Sequence, residues 1–355
     1  MSKRTLAALV IPLAVIAAVA GVLATGSKGA ERAERTIGLV FPDPNGGAPL
    51  SRDVEPAARA AASALGDHLV VIPTDGGPDS MTSAVKSLIA QRAAAIIVNT
   101  DQGPDTVDAV LPALKKARAA GIPTLSYEQR FPGSVWVTQS TPKQYAQALA
   151  DALASQMGGR GQYMIVSCRP SEHVVTVWLK AAKAYIRNHY PGMHLDGVAY
   201  GDSGNGDVDT HMFRRLIKRH PQLRGLIFLC PGEAYNQPPQ IVSAGKVGKV
   251  FSAGNGGDCP PLYIQWALNV RSGAEEAVCA GDPAKLGYLA VWAADYLASG
   301  HTFAPGSYDV GGPVGTVQYL RKNAELPLGQ PLTITQANVN QVPCVADQGA
   351  ACPAG

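Results

Sequence analysis

Short apolar runs alternate with stretches of helical spacing along most of this chain, and the whole alternation occurs twice. The runs, four to six residues long, lie at 37–41, 69–72, 94–98 and 122–127, and again at 162–166, 195–199, 225–229 and 249–253. Such runs, separated by helices, indicate a parallel sheet that is covered on both faces. Because right-handed crossovers fix the topology of each series, the sequence predicts an α/β fold with two doubly wound lobes.

The intervening stretches carry signals for helix starts and ends. Helical spacing occupies 54–65, 81–91, 106–119, 141–157, 174–188, 209–219 and 261–272. Thr141 followed by Pro142 is typical of a helix start. Asp282 with Pro283 predicts the start of a late helix that Gly300 ends.

Length and charge restrict the class of protein. A chain of 355 residues exceeds the size at which one core stops growing, which also favours two lobes. The net charge is only +3, so the composition indicates neither a basic face for nucleic acid nor an acidic tail. We therefore expect no nucleic-acid partner.

The amino-terminal segment has the order of an export signal. Lys3 and Arg4 precede an uncharged stretch from Leu6 to Ala24, and polar residues follow. This apolar stretch is 19 residues long, which also approaches the length of a membrane-spanning helix. Residues 1–30 are therefore predicted to be either a cleaved export signal or a retained membrane anchor, and in both cases the protein acts in the periplasm or outside the cell.

Six cysteines fit an oxidising compartment. Cys344 and Cys352 are spaced to close a small loop, whereas Cys168 and Cys230, each at the end of a predicted strand, leave buried thiols as an alternative. The cysteines form no CxxC motif, so their spacing does not indicate a zinc site.

Polar and aromatic residues cluster where the predicted strands end. In open parallel sheets, ligands bind beyond the carboxyl ends of the strands, so these residues are candidates for contacts with a small polar ligand. Loop polarity and helix capping are the alternative explanation for each of them singly. The candidates are Phe41, Asp43, Asn45, Asp101, Tyr127, Glu128, Arg130, Arg169, Pro231, Glu233 and Asn255.

The chain resembles the type I periplasmic sugar-binding proteins, the ribose-binding group that also forms the ligand core of LacI-type repressors. The resemblance covers about 36–343 and rests on the order of IGLVFPDPN, GIPTLSYEQR, QSTPKQYAQALADAL, GDPAKLGYLAVWAADYLASG and LTITQANVNQV. Trp178, Lys180 and the Tyr190–Gly192 segment match the autoinducer-2 and rhamnose-binding branch most closely, and Trp178 joins the candidate ligand contacts.

The resemblance implies an architecture and a role. It implies two lobes joined by three crossings near 131–135, 279–282 and 302–310. Lobe 1 then comprises 36–131 with 282–302, lobe 2 comprises 135–279 with 310–343, and 344–355 is a carboxyl-terminal tail. A monomer of this kind closes on a sugar or sugar-like ligand and docks onto the membrane permease of an ABC-type importer, with no catalysis, cofactor or metal.

Individual positions depart from the branch and restrict the ligand. Glu128 matches the acidic residue that holds ligand hydroxyls, and Pro231 matches a backbone contact. Asp43 stands where autoinducer-2 binders have lysine, and Asn255 stands where ribose binders have aspartate. Val174-Val175 replaces an Asp-Gln pair, and Ala280-Gly281 replaces a glutamine. The resemblance therefore implies a ligand other than autoinducer-2 or ribose, with a less hydroxylated or more apolar face.

Other functional classes fit the sequence less well. It has no GxSxG nucleophile motif, no phosphate-binding loop and no regular dinucleotide fingerprint. Asp207, Asp209 and His211 alternate as metal ligands can, but capping and solvated surface explain the same pattern. A repressor would need a DNA-binding domain where the export segment stands. The remaining alternative is a membrane-anchored sensor or receptor ectodomain with the same pair of lobes.

Overall fold

Two six-stranded sheets, each covered by helices, organise the part of the protein that the structure describes. This structure is a computed structural model, and it describes residues 34–43, 49–99, 104–127, 129–168, 173–201, 211–257, 262–345 and 351–352. The predicted export or anchor segment, 1–30, lies outside these residues. None of the described helices is long and apolar enough to cross a lipid bilayer.

Strands and helices alternate through both halves of the chain. The strands are β1 (Thr36–Pro42), β2 (His68–Thr74), β3 (Ala95–Asn99), β4 (Thr124–Tyr127), β5 (Val135–Thr138), β6 (Arg160–Ser167), β7 (Gly192–Tyr200), β8 (Leu223–Phe228), β9 (Phe251–Asn255), β10 (Leu262–Tyr263), β11 (Glu276–Cys279), β12 (Gly306–Gly311), β13 (Gly315–Tyr319), β14 (Glu325–Pro327), β15 (Leu332–Ile334) and β16 (Cys344–Val345). The α-helices are α1 (Pro49–Leu65), α2 (Pro78–Ala90), α3 (Pro104–Ala119), α4 (Pro142–Met157), α5 (His173–His189), α6 (Met212–Arg219), α7 (Pro231–Asn236), α8 (Pro238–Ser243), α9 (Ile264–Arg271) and α10 (Pro283–Ala298).

The two large sheets have the same strand arrangement. The first runs β14-β5-β4-β3-β1-β2 and is parallel throughout. The second runs β15-β11-β9-β8-β6-β7 and is parallel except for β15 at its edge. In each sheet the strand order reverses beside the first strand of the series, which is the doubly wound pattern predicted from the sequence. The predicted fold class is confirmed.

Alternation of side chains along β1 shows how the first sheet is buried on both faces. Ile37 and Leu39 enter a core beneath α1 and α10, whereas Val40 enters a second core beneath α2 and α3. Gly38 completes the pattern, because a Cβ there would overlap the side chain of Leu88 on α2. This sheet and its helices form lobe 1.

The second sheet is covered in the same way and forms lobe 2. Helix α4 begins with a capping box, in which the Thr141 hydroxyl accepts the Gln144 N–H and the Gln144 side chain accepts the Thr141 N–H. The inner face of this helix, including Leu149 and Leu153, packs with Ile165 of β6 and Ile227 of β8. A separate cluster on the other face holds Met164, Phe213, Leu216, Leu226 and Val250.

The chain changes from one sheet to the other three times, and two of these crossings lie later than the resemblance implied. Strand β5 pairs with β4, and β14 pairs with β5, so both belong to the first sheet. The crossings therefore run through 139–141, 280–282 and 328–331. The implied bounds had placed β5, β13 and β14 in lobe 2 and most of β12 in the third crossing, but the hairpin residues Val310 and Val317 pack into the lobe 1 core.

The cysteines of the described residues are all oxidised. Cys344 and Cys352 are bonded across the short loop that the sequence predicted. Cys168 and Cys230 are also bonded, with Cα atoms 5.3 Å apart, so the alternative of two buried thiols is wrong for this pair. Adjacent strands β6 and β8 bring the two residues together, because each follows the carboxyl end of its strand.

Candidate functional site

A cavity of about 260 Å³ opens where the two lobes meet the first two crossings. Lobe 1 contributes residues of β5, and lobe 2 contributes the carboxyl end of β9 and the start of α7. The lining residues are Trp136, Thr138, Gln139, Ser140, Pro142, Trp178, Pro231, Asn255, Gly257 and Ala280. A molecule in this cavity would touch both lobes at once, so the free energy of binding depends on how the lobes are placed.

The described lining residues combine polar and apolar groups and carry no formal charge. Hydroxyl and amide groups come from Thr138, Gln139, Ser140 and Asn255, and apolar surface comes from two tryptophans, two prolines and Ala280. Such a mixture suits a ligand with hydroxyl groups on some faces and C–H groups on another. A charged ligand would find no opposite charge among these residues.

Asn255 is held in a fixed orientation at the carboxyl end of β9. Its side-chain amide donates to the backbone oxygen of Leu229 at 2.9 Å, and its side-chain oxygen accepts the N–H of Gly257 at 2.9 Å. It is 5% exposed. Since both bonds are internal to the protein, they also fix the turn that presents Gly257 to the cavity.

Trp178 lies on α5 against the α4 side chain Tyr145. Their ring centroids are 4.8 Å apart and tilted by 54°. The Tyr145 hydroxyl donates in turn to the backbone oxygen of Val278 on β11, at 3.1 Å. The indole that lines the cavity is therefore positioned by a ring anchored to the lobe 2 sheet.

Gln139 lies where the three crossings meet. Its backbone oxygen accepts the N–H of Gly329 in the third crossing at 3.2 Å. A Cβ at Gly281, in the second crossing, would lie 2.8 Å from the Cβ of Gln139 and 3.3 Å from its Cα. The segments that connect the two lobes are thus packed together beside the cavity.

A buried acid stands behind the cavity in lobe 2. The Glu275 side chain is so close to Gly254, the residue before Asn255, that a Cβ at Gly254 would overlap its carboxyl group. Asn269 donates to the Glu275 Oε2 at 3.4 Å, and Oε1 has no hydrogen-bond partner among the described residues. Burial raises the pKa of Glu275 well above its usual range, despite the opposing effect of the Asn269 hydrogen bond.

The residues predicted from the sequence divide into three groups. Trp178, Pro231 and Asn255 line the cavity. Asn45, Asp101, Glu128 and Arg169 lie outside the described residues. Five others are described away from this cavity: Phe41, Asp43, Tyr127, Arg130 and Glu233.

The packing and hydrogen bonds of these five residues show where each of them lies. Phe41 and Tyr127 lie in the core of lobe 1, at 2% and 1% exposure. Glu233 is fully buried against Gly201, where a Cβ would overlap its carboxyl group. Arg130 is exposed, and the backbone N–H of Asp43 donates to the Thr74 oxygen at 2.8 Å.

Sequence reasoning missed the lining residues that precede α4. Trp136, Thr138, Gln139 and Ser140 belong to β5 and the first crossing. The apolar runs do not predict the segment VWVT as a strand, so they indicate no candidate residues at its carboxyl end. The available signal was a tryptophan in a short β-branched run just before the Thr141-Pro142 helix start.

A metal site finds no support in the described residues. They contain no group of three or more histidine, cysteine, aspartate or glutamate side chains placed to hold a metal ion. Of the alternating residues noted in the sequence, His211 is exposed, and Asp207 and Asp209 lie outside the described residues.

Solved structures of low sequence identity share this fold. A sugar ABC transporter protein from Actinomyces odontolyticus is 22% identical, with a TM-score of 0.75 over 86% of this chain and 97% of the other. A solute-binding protein from Clostridium phytofermentas with bound L-rhamnose is 20% identical, with a TM-score of 0.64 over 87% and 98%. One from Actinobacillus succinogenes with bound D-allose is 16% identical, with a TM-score of 0.65 over 87% and 100%.

The remaining comparisons concern sequence alone. A search of curated proteins finds no match. The sequence profile of the periplasmic binding protein domain matches residues 37–302, which is most of the chain and includes every strand of the two large sheets except β14 and β15. The autoinducer-2 and rhamnose branch stays a prediction within that family. By its sequence profile, its paired parallel sheets and the cavity between them, the chain belongs to the periplasmic binding protein domain family.

Proposed function

We propose that this protein is the extracytoplasmic solute-binding component of an ABC-type importer and that it binds a neutral sugar or sugar-like molecule between its lobes. The observation that carries the proposal is a cavity lined by both lobes and by the crossings, whose described lining residues carry no formal charge. The fold relatives that hold L-rhamnose and D-allose support the ligand class. Binding alone performs this function, and no covalent step is required.

Closure of the lobes is the proposed mechanism. A ligand shifts a conformational equilibrium only by the difference between its affinities for the two states. Contacts from β5 on one side and from Asn255 and Trp178 on the other form together only when the lobes approach. The ligand would therefore favour the closed arrangement, which the importer's membrane permease would recognise.

The lining favours a particular kind of neutral ligand. The amide and hydroxyl groups can exchange hydrogen bonds with several ligand hydroxyls, and the indole faces of Trp136 and Trp178 can cover a C–H face. A deoxy sugar or another sugar with one apolar face satisfies both requirements. A sugar phosphate or sugar acid would bury its charge without a partner among the described lining residues.

Binding to a sugar panel tests this proposal. We expect one or more neutral pentoses, hexoses, deoxyhexoses or polyols to raise the melting temperature, because a ligand of the native state stabilises it. Calorimetry then gives the affinity of the best ligand. For Asn255→Ala, we expect that affinity to fall by roughly 1 to 3 kcal/mol, because the turn at Gly257 loses its support.

Asn338→Ala is the matched control for this variant. The Asn338 side chain also makes two hydrogen bonds to backbone groups, those of Thr335 and Thr333, but it lies outside the cavity. The affinity of Asn338→Ala for the best ligand should equal that of the unchanged protein. The proposal fails if no neutral sugar binds, or if the two variants bind the best ligand equally well.

Export, a monomeric state and docking to a permease belong to the same proposal. Cell fractionation should find the protein outside the cytoplasm, and light scattering should give the mass of one chain. The residues Asn45, Asp101, Glu128 and Arg169 remain proposed contacts of the same ligand.

A further inference from the structure

Lobe 2 contains a strongly basic region, although the net charge of the whole chain is small. The segment 212–251 contains seven of the chain's 30 lysine and arginine residues and a single acid, Glu233. Glu233 is fully buried, whereas the basic residues of this segment are exposed or half-buried. The outer surface of the segment is therefore positively charged.

The fold gathers five of these charges at one edge of the lobe 2 sheet. Carboxyl ends of covering helices and amino ends of parallel strands share an edge in a doubly wound lobe, opposite to the edge that binds ligand. The end of α6, the start of β8 and the turn before β9 all lie there. We call this group the basic edge; it comprises Lys218, Arg219, Arg224, Lys246 and Lys249.

Contacts place Arg224 beside the start of β9, which follows the turn that carries Lys246 and Lys249. Strands β8 and β9 pair at Gly225 and Phe251, and the Arg224 guanidinium lies 5.9 Å from the centre of the Phe251 ring. The Lys246 oxygen accepts the N–H of Lys249 at 2.9 Å, which closes the turn before β9.

Few negative charges balance this edge. None of its five residues forms an ion pair with a described carboxylate. Asp196 on the neighbouring β7 is engaged by His220 at 2.6 Å. The two acids at the start of β11, Glu275 and Glu276, are buried and half-buried, and burial raises the pKa of both.

Exposed aliphatic side chains lie among the charges. Val247 stands between the two lysines of the turn and is 39% exposed, and Val242 on α8 is 45% exposed. Gly245 and Gly248 adopt positive φ angles of 61° and 74°, which shape a tight turn that presents Val247 outward. Lysines flanking an exposed valine suit a surface with negative charge outside and hydrocarbon just beneath.

We propose that the basic edge docks onto an anionic phospholipid surface. Lys246 and Lys249 would contact headgroup phosphates, Val247 would reach the acyl boundary, and the arginines and Lys218 would add attraction at longer range. An acidic protein or a free polyanion would match the lysines but would give the two valines no apolar partner. The edge lies opposite the ligand cavity, so this docking does not depend on the ligand.

Vesicle co-sedimentation of the full chain tests the proposal. The readout is the ratio of binding to phosphatidylglycerol-containing vesicles over binding to phosphatidylcholine vesicles, because the apolar amino-terminal stretch is common to both. We expect this ratio to exceed about tenfold at low salt and to fall strongly above about 0.5 M salt, where charges are screened within a few ångströms. The variant K246E/K249E, which reverses the charge of two lysines, should lower this binding ratio about tenfold.

K115E/K116E is the matched control. It reverses two adjacent exposed lysines of lobe 1, on α3, and changes the net charge equally. This variant should have the same binding ratio as the unchanged protein. A further variant, V247D, should have a lower ratio than the unchanged protein.

Hydrogen exchange gives a local readout that does not rely on any variant. Anionic vesicles should protect the backbone amides of 242–250, and phosphatidylcholine vesicles should not. Equal binding to the two vesicle types, equal losses in the two lysine variants, or protection of α3 in place of 242–250 would each overturn the proposal.

Discussion

At the scale of single residues, Glu275 couples the stability of lobe 2 to pH. Its buried carboxyl stays protonated in the folded protein well above the usual glutamate pKa of 4.5, whereas the unfolded chain releases the proton near that value. Between the two pKa values the folded state binds more protons, so stability falls as pH rises, by up to about 1.4 kcal/mol per pH unit.

Replacement of this carboxyl by its neutral isostere tests the coupling. For Glu275→Gln, we expect a free energy of unfolding that falls less steeply above pH 4.5, measured by urea unfolding at several pH values. Burial raises the pKa of the half-buried Glu276 to about 7, so the slope that this residue contributes should persist in Glu275→Gln up to about that pH. Glu276→Gln, the comparison variant, should remove only this contribution, which ends near pH 7. Parallel pH profiles for Glu275→Gln and the unchanged protein would show that the coupling is absent.

Single residues also show why the sequence predicted the lining of the cavity only in part. Asn255 and Pro231, which line the cavity, were predicted because each follows an apolar run, and such runs can be recognised locally. Phe41 and Tyr127 follow the same rule, but the alternation of side chains along their strands turns them into the core. One residue of register decides between core and cleft, and residue type alone does not set the register.

At the scale of elements, the contact between Gly281 and Gln139 sets how closely the first two crossings pack. For Gly281→Ala, we expect a loss of about 1 to 3 kcal/mol in the free energy of unfolding, because the new methyl group meets backbone and Cβ atoms that cannot move aside. The φ angle of Gly281 is not positive, so the backbone accepts alanine and the contact is tested alone. Urea unfolding measures the loss.

Gly197→Ala provides the comparison for this variant. A Cβ at Gly197 would approach only the terminal methyl of Met164, at 3.3 Å, and a flexible side chain can yield. We expect a change of less than about 1 kcal/mol, since alanine also reduces the conformational freedom of the unfolded chain. Equal losses in the two variants would contradict the close packing of the crossings.

Elements differ in how far local sequence determines them. The long helix α10 and the buried strands β1, β3 and β8 were predicted because periodicity, caps and β-branched residues all agree. Strands β5, β14 and β15 were not, because each has three or four residues and forms by pairing with a distant part of the chain. The bounds of the crossings depend on these strands, which explains why two of them were misplaced.

At the scale of the whole molecule, the two disulfides with both cysteines among the described residues constrain the unfolded chain to different extents. Cys168 and Cys230 are separated by 62 residues, and Cys344 and Cys352 by 8. Loop-closure entropy gives about 4 kcal/mol for the first and between about 2 and 3 kcal/mol for the second. We therefore expect C168A/C230A to lose more stability in urea unfolding than C344A/C352A.

The two pairs also differ in their distance from the ligand. The first disulfide joins the ends of β6 and β8, and Pro231 of the cavity follows Cys230 directly. C168A/C230A should therefore also weaken binding of the best sugar, whereas C344A/C352A should not. A larger loss of stability or of affinity in the second variant would contradict this assignment.

The place of β14 has a consequence for biosynthesis. The lobe 1 sheet begins at residue 36 and receives its last strand only at 325–327, and the lobe 2 sheet is completed only at 332–334. A chain that emerges amino-terminus first cannot finish either sheet until nearly all of it has appeared. Until then β5 presents an unpaired strand edge, a template for aggregation. Helper proteins that keep nascent chains extended should therefore matter more to this protein than to one whose domains follow each other in sequence.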